Sequence, residues 1–310
     1  MKPVVFITAG DPLGIGPEVT VKALKSPLVQ HACSPIVIGE PCSLFRAGFS
    51  DSLARLISMD SCECLQDAPH GPTEAGGISS FKAVELGCKL ALRTSCPLVT
   101  APISKQSWAL GHIPYVGHTE LLRERAGKDG LMMFVSGPIR CALVSEHFSI
   151  ADLPHIITRA RVANAARCFA QALHRLGISR PRIAFCALNP HAGDNGKFGT
   201  EEHTVLEPVI RALHRKGICA EGPFPVDSLW AAHAHGQYDG LLCMYHDQAL
   251  LGLKLAAHEP IVHVTAGLKF LRTSPTHGTA FDIAGKNCAD AQSMTAAILF
   301  AAARSKCPEI

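Results

Sequence analysis

Short apolar runs alternate with helical segments along most of the 310 residues, and this alternation constrains the fold more than any other feature. Short apolar runs bounded by Gly, Pro or Asp are typical of buried strands. Such runs occupy positions 4–7, 35–39, 97–100, 132–135, 139–144, 182–188, 238–245 and 260–264. Helical patterns between them, including 76–93 and 158–176, predict an α/β fold with largely parallel strands.

Composition narrows the class of protein. The length allows two domains of ordinary size, and an apolar content of 47% is ample for their cores. The chain has no apolar run long enough to span a bilayer, no signal-peptide pattern and no long block of Lys and Arg, which argues against membrane and nucleic-acid partners. The cysteines, many inside apolar runs, indicate buried thiols in a reduced, cytoplasmic protein, and Cys62 with Cys64 matches no common zinc spacing.

Three of the predicted strands are followed by a histidine: His147, His191 and His246. In an open parallel sheet, residues just beyond the carboxyl ends of the strands line the ligand site. Three histidines also match the ligand count of a catalytic metal site with an open position. Because the chain has 16 histidines, three unrelated loop residues explain the pattern equally well, and both interpretations stay open.

Two further segments are rich in residue types that bind ligands. The first strand leads into the Gly-rich turn 10–18 and then a helix, a layout that points backbone N–H groups at an anion. Its spacing fits neither a dinucleotide fingerprint nor a P-loop, so a plain strand-to-helix turn is nearly as good an explanation. The segment 272–286 mixes Arg, His, hydroxyl groups, Gly and Lys, and predicts a ligand-binding loop.

Six strings, in matching order, resemble the 4-hydroxythreonine-4-phosphate dehydrogenase family. They lie at residues 10–18, 100–105, 117–120, 189–193, 245–248 and 272–286. The resemblance implies an isocitrate/isopropylmalate dehydrogenase-like fold, with two α/β/α domains and a central cleft. Residues 1–112 and 258–310 would form the discontinuous cofactor-side domain, and residues 113–257 the metal, substrate and dimerisation domain.

The resemblance also implies roles for individual residues. His147, His191 and His246 become ligands of one divalent metal (Zn, Co, Mg or Mn) at a homodimer interface, with His246 supplied by the other subunit. The other implied positions are His118, Thr119, Lys254, His263 and Arg272 for substrate, Asp227 and Asp247 for catalysis, and Gly278, Thr279, Ala280, Asp282 and Lys286 for NAD or NADP.

The implied activity is oxidation of 4-hydroxythreonine 4-phosphate to a β-keto acid, which decarboxylates to 3-amino-2-oxopropyl phosphate in pyridoxal phosphate biosynthesis. The chain departs from the family pattern at His263 (usually Asn), Thr276 (Asp), Ala249 (Gly) and Lys269 (Pro). Because an imidazole differs from an amide in size and donors, threonate or erythronate 4-phosphate, or an aromatic dihydrodiol, stays open as substrate. A non-catalytic ligand-binding protein is disfavoured, since all three histidines are present.

Overall fold

The computed structural model describes residues 2–59, 65, 69–126 and 130–305, so Cys62 and Cys64 lie outside the described residues. The strands are β1 (Val4–Thr8), β2 (Ser34–Gly39), β3 (Arg55–Ser58), β4 (Leu98–Thr100), β5 (Leu131–Ser136), β6 (Ile139–Leu143), β7 (Ile183–Cys186), β8 (Ala220–Phe224), β9 (Gly240–Cys243), β10 (Val262–Ala266) and β11 (Arg272–Ser274). The helices are α1 (Gly16–Leu24), α2 (Pro27–Ala32), α3 (Pro41–Arg46), α4 (Glu74–Thr94), α5 (Lys105–Leu110), α6 (His118–Ala126), α7 (Leu153–Ile156), α8 (Arg159–Arg175), α9 (Glu207–His214), α10 (Val226–Ala234), α11 (His246–Ala256) and α12 (Gln292–Ala302). Within the described ranges, no helix has both the length and the apolarity needed to cross a bilayer.

The chain divides into two compact units, one formed by Met1–Gly130 with Val262–Ile310 and the other by Leu131–Ile261. In the first unit the strands follow the order β3-β2-β1-β4-β11-β10. All neighbours pair in parallel except β10 and β11, where Thr265 lies opposite Arg272. Leu98 of β4 lies opposite Arg272 on its other side. This register buries the arginine between two strands.

The second unit has strand order β5-β6-β9-β7-β8. A hairpin joins the antiparallel pair β5 and β6 through Gly137, whose φ of 52° suits glycine. The pairs β6/β9, β9/β7 and β7/β8 are parallel. The carboxyl ends of β6, β9 and β7 therefore lie at one edge of this sheet, and His147, His246 and His191 follow them in the chain.

The predicted α/β class and the alternation of strands and helices are confirmed. The helix predicted at 158–176 is α8, and the Thr158 hydroxyl accepts the backbone N–H of Arg161 as its N-terminal cap. The strand predicted at 238–245 is shorter, Gly240–Cys243, because His246 already begins α11.

Candidate functional site

Arg272 is a buried cation of the first unit, with only 2% of its surface exposed. Its Nε and Nη2 donate to the Thr100 hydroxyl at 3.2 and 2.7 Å, and its Nη1 donates to the Thr265 hydroxyl at 2.9 Å. Burial lowers the pKa of Arg272 to about 9. Among the residues that the structure describes, no carboxylate lies within ion-pair distance of this guanidinium. A buried charge of this kind favours an anionic ligand.

His263, one of the four residues that depart from the pattern implied by the resemblance, contacts Arg272 directly. Arg272 Nη1 lies 3.2 Å from His263 Nδ1, and the Ser274 hydroxyl lies 3.1 Å from the same nitrogen. A guanidinium only donates hydrogen bonds, so Nδ1 of His263 is the acceptor and the ring proton lies on Nε2. His263 is therefore part of the arginine pocket as a neutral imidazole.

His118 adds a second neutral imidazole to this pocket. It is the first residue of α6, and its ring centroid lies 6.0 Å from that of Trp108. Burial lowers the pKa of His118 well below its usual range, and the positive charge of Arg272 acts in the same direction. Its Nε2 is buried and has no hydrogen-bond partner among the described residues, which leaves that atom for a ligand.

The structure also places the two other predicted substrate residues, Thr119 and Lys254. Thr119 is half-buried and follows His118 in the first turn of α6. Lys254 is exposed in the last turn of α11, in the second unit.

The Gly-rich turn and the predicted cofactor loop hold each other in place within the first unit. The N–H of Ile15 donates to the carbonyl of Thr279 at 2.9 Å. A Cβ at Gly14 would meet the Cβ and the carbonyl oxygen of Thr279 at 3.0 Å, so a side chain there would push Thr279 away by a few tenths of an ångström. The loop is thus fixed near Thr279, while Gly278, Asp282 and Lys286 are exposed.

The far end of the cofactor loop is held by α1. The carboxylate of Glu18 accepts the N–H of Ala289 at 2.8 Å and pairs with Lys22 at the same distance. Lys22 also donates to the carbonyls of Asn287 and Ala289 at 2.9 Å. Because both ends of the loop are fixed, Ala280 holds a φ of 40° that L residues rarely adopt.

Two of the three predicted metal ligands lie together in the second unit. The ring centroids of His147 and His246 are 5.5 Å apart. Nδ1 of His246 donates to the carboxylate of Asp247 at 2.8 Å, which leaves Nε2 of His246 for a metal. This donor set suits a divalent transition metal as two of its ligands.

His191 does not join this pair within the single chain. It is exposed and lines a cavity of about 540 Å³ with His203 and Glu207. Among the described residues, no three His, Cys, Asp or Glu side chains lie close enough to hold a metal ion. Asp227, the other predicted catalytic carboxylate, is exposed in the first turn of α10.

Sequence reasoning missed several residues that shape these sites: Thr100, Thr265, His70 and Glu202. Nδ1 of His70 donates to the carbonyl of Leu13 at 2.7 Å, and a side chain at Gly285 would collide with the ring of His70. Isolated threonines and histidines carry no local signal for such contacts. Only the pairing of distant segments reveals them.

Comparisons with known proteins give one consistent family. The family model described as "Pyridoxal phosphate biosynthetic protein PdxA" matches residues 32–301. A 4-hydroxythreonine-4-phosphate dehydrogenase from Geobacter metallireducens is 39% identical, over 97% of this chain and 95% of its own. A protein from Symbiobacterium thermophilum, provisionally named D-threonate 4-phosphate dehydrogenase, is 35% identical over 96% of this chain and 95% of its own.

Solved structures agree at the level of the fold. The crystal structure of 4-hydroxythreonine-4-phosphate dehydrogenase from Klebsiella pneumoniae has a TM-score of 0.87 and 31% identity, and 98% of each chain is covered. A β-decarboxylating dehydrogenase from Thermococcus kodakarensis, 15% identical with a TM-score of 0.52, covers 97% of this chain and 82% of its own. The second likeness concerns the fold alone, and it agrees with the predicted dehydrogenase-like architecture.

Proposed function

The chain belongs to the family of the pyridoxal phosphate biosynthetic protein PdxA, whose named relatives are dehydrogenases, and we propose that it oxidises 4-hydroxythreonine 4-phosphate with NAD or NADP. The observation that carries the proposal is the buried Arg272, which has no carboxylate counter-ion among the described residues. A phosphate monoester supplies the missing negative charge.

In this proposal the arginine pocket binds and orients the substrate. Arg272 attracts the phosphate, and the Thr100 and Thr265 hydroxyls hold the guanidinium in one orientation. His118 offers its unused Nε2 as a neutral hydrogen-bonding group, and Thr119 adds a hydroxyl beside it. The resemblance also assigns Lys254 of α11, in the second unit, to the substrate. Clamping the charged end fixes the carbon that is oxidised, which lowers the entropic part of the barrier.

The oxidation itself moves a hydride and a proton in different directions. A bound nicotinamide cofactor would accept the hydride of the carbinol carbon, and the hydroxyl proton would pass to Asp247 or Asp227. The product is a β-keto acid, whose C–C bond to the carboxylate would then break. CO₂ leaves, and the electron pair forms an enolate that takes up a proton to give the ketone. A divalent metal held by His147, His246 and His191 would supply Lewis-acid chemistry at the oxygen that is oxidised.

Residues of the first unit form the proposed cofactor site. Gly278, Thr279, Ala280, Asp282 and Lys286 form the loop that would hold the adenosine part of the cofactor. Its attachment to Ile15 and α1 supports this role, because a loop fixed at both ends loses little entropy when a ligand binds.

A homodimer would complete the metal set. In α11, Leu251 and Leu255 lie one turn apart and are 66% and 78% exposed. Phe148 and Ile150, directly after His147, are 45% and 76% exposed. Large apolar side chains rarely remain in water in such numbers beside a site, so a second copy of the chain is the proposed cover. Because His147 and His246 lie together in one chain, we propose that the ligand from the other subunit is His191, and not His246 as the resemblance implies.

One observation favours a second substrate, D-threonate 4-phosphate. His263, in place of the usual Asn, touches the arginine that would bind substrate, and a relative 35% identical carries the name of that activity. Both candidates carry the phosphate that Arg272 requires. The carbon next to the oxidised one carries an amine in 4-hydroxythreonine 4-phosphate and a hydroxyl in D-threonate 4-phosphate.

The test is steady-state turnover on 4-hydroxythreonine 4-phosphate, D-threonate 4-phosphate and an aromatic cis-dihydrodiol. Each substrate is assayed with NAD and with NADP, and with Zn²⁺, Co²⁺, Mg²⁺ or Mn²⁺ added to chelated protein. We expect turnover on the first substrate, lost on chelation and restored by metal. Turnover on the dihydrodiol alone would contradict the proposal.

A further inference from the structure

Glu202 is a buried carboxylate beneath the segment that carries His191. Only 1% of its surface is exposed. Its Oε1 accepts the backbone N–H groups of Leu188 and Asn189 at 2.9 and 2.8 Å, and its Oε2 accepts from the side-chain amide of Asn189 at 3.0 Å. Three donors converge on one acid, and among the described residues no Lys or Arg pairs with it.

The segment after Asn189 has an unusual backbone. His191, Ala192, Gly193, Asp194 and Asn195 have φ values of 53, 54, 81, 41 and 56°. L residues rarely adopt this left-handed region, and a succession of them persists only where the surroundings enforce it. A side chain at Gly193 would lie 2.8 Å from Oε2 of Glu202, so the turn closes tightly over this carboxylate.

Glu202 is also the first residue of an irregular helical turn. Residues Glu202–Leu206 form a π-helical turn that leads into α9. π-Helical turns are uncommon in proteins, and those that do occur are often found at functional sites. The turn brings the acid back under a loop that begins more than ten positions earlier in the chain.

We propose that Glu202 is a positioning residue for His191: by holding Leu188 and Asn189 it fixes the left-handed turn that presents the imidazole to a metal. The inference rests on the proposed function, because that function makes His191 a ligand. A neutral glutamine at this position would turn an amide N–H₂ towards a backbone or amide donor, and the turn would lose at least one of its three anchors.

Metal affinity of the full-length protein, measured with Zn²⁺ and a chromophoric chelator, tests the inference without relying on turnover. We expect E202Q to raise the Kd for Zn²⁺ about 10- to 100-fold, the usual effect of losing a partner that orients a ligand. N189A removes the side-chain amide that donates to Glu202 and should also raise the Kd for Zn²⁺. The matched control is E221Q, since the half-buried Glu221 accepts only the Tyr238 hydroxyl, at 3.3 Å, among the residues that the structure describes.

H191A separates this inference from the proposed function. If H191A weakens Zn²⁺ binding while E202Q and N189A bind as the wild type does, Glu202 has no positioning role, whatever happens to Tm. If H191A itself binds Zn²⁺ normally, the proposed ligand set is wrong and the inference falls with it. If E202Q does not fold, N189A alone decides the outcome.

Discussion

Nδ1 of His263 accepts a hydrogen bond from Nη1 of Arg272, 3.2 Å away. Because the guanidinium cannot accept in return, this contact fixes the imidazole as the neutral tautomer with its proton on Nε2. His263, one of the four departures from the implied family pattern, is thus hydrogen-bonded to the cation that is proposed to bind the phosphate. A substitution at His263 should therefore change substrate binding, either by altering the position of Arg272 or by moving the donor at Nε2.

His263→Asn tests whether this departure sets the substrate. The Asn Oδ1 retains an acceptor for Arg272, whereas the donor at the position of Nε2 moves. If the substrate is D-threonate 4-phosphate, the ratio of kcat/KM for the two phosphorylated substrates should shift towards 4-hydroxythreonine 4-phosphate by about 5- to 150-fold, or roughly 1–3 kcal/mol. If 4-hydroxythreonine 4-phosphate is the substrate, kcat/KM changes little or rises. A uniform change of under a few-fold on both would remove His263 from substrate recognition.

Arg272→Met should separate binding from stability. The methionine removes a buried charge without a counter-ion, so Tm should be no lower than that of the wild type. KM for the phosphorylated substrate should rise roughly 100-fold, since charge-assisted hydrogen bonds to phosphate are lost. Scanning fluorimetry and initial rates measure the two effects. The control is Arg125→Met in the same unit, whose partner Glu85 lies near the surface. A large fall in Tm with KM unchanged would make Arg272 a structural residue.

The sequence predicted eight of the eleven strands in the described residues because apolar runs, glycines and prolines are local signals. It missed β3, β8 and β11, and residues 272–274 were predicted as part of a loop. It could not predict that Thr100 and Thr265 hold Arg272, because that contact depends on the pairing of β11 with both β4 and β10. Glu202 was missed for a similar reason, since a chain reversal brings it beneath Asn189. The position of His191 relative to the other two histidines depends on loop conformation, which strand patterns do not encode.

His233 should make the stability of the second unit depend on pH. Nδ1 donates to the carbonyl of Tyr238 and Nε2 accepts the N–H of Arg140, so only the neutral ring satisfies both. Burial lowers the pKa of His233 and the charge of Arg140 acts in the same direction, while the hydrogen bond to Tyr238 and the charge of Asp239 partly offset the shift. Since the unfolded value is about 6.5, the stabilisation is complete above that pH and is lost as pH falls through the lower folded pKa.

His233→Gln keeps one acceptor and one donor but cannot titrate. We expect its Tm to lie near that of the wild type at pH 8 and to fall less between pH 7 and pH 5. Thermal unfolding across this range measures the difference. Parallel curves for the two proteins would exclude His233 as the source of the pH dependence.

The contact between His147 and His246 predicts which histidines complement each other across a dimer. Their ring centroids lie 5.5 Å apart in one chain, and His191 is not among their neighbours. If one subunit supplies this pair and the other supplies His191, mixing H147A with H191A leaves one intact site in each heterodimer. After subunit exchange, roughly a quarter of wild-type activity should return, because half of the dimers are mixed and one of their two sites is complete. Mixing H147A with H246A should restore none. The reverse pattern would assign His246 to the partner subunit, as the family resemblance implies, and no recovery in either mixture would mean that the site is not shared.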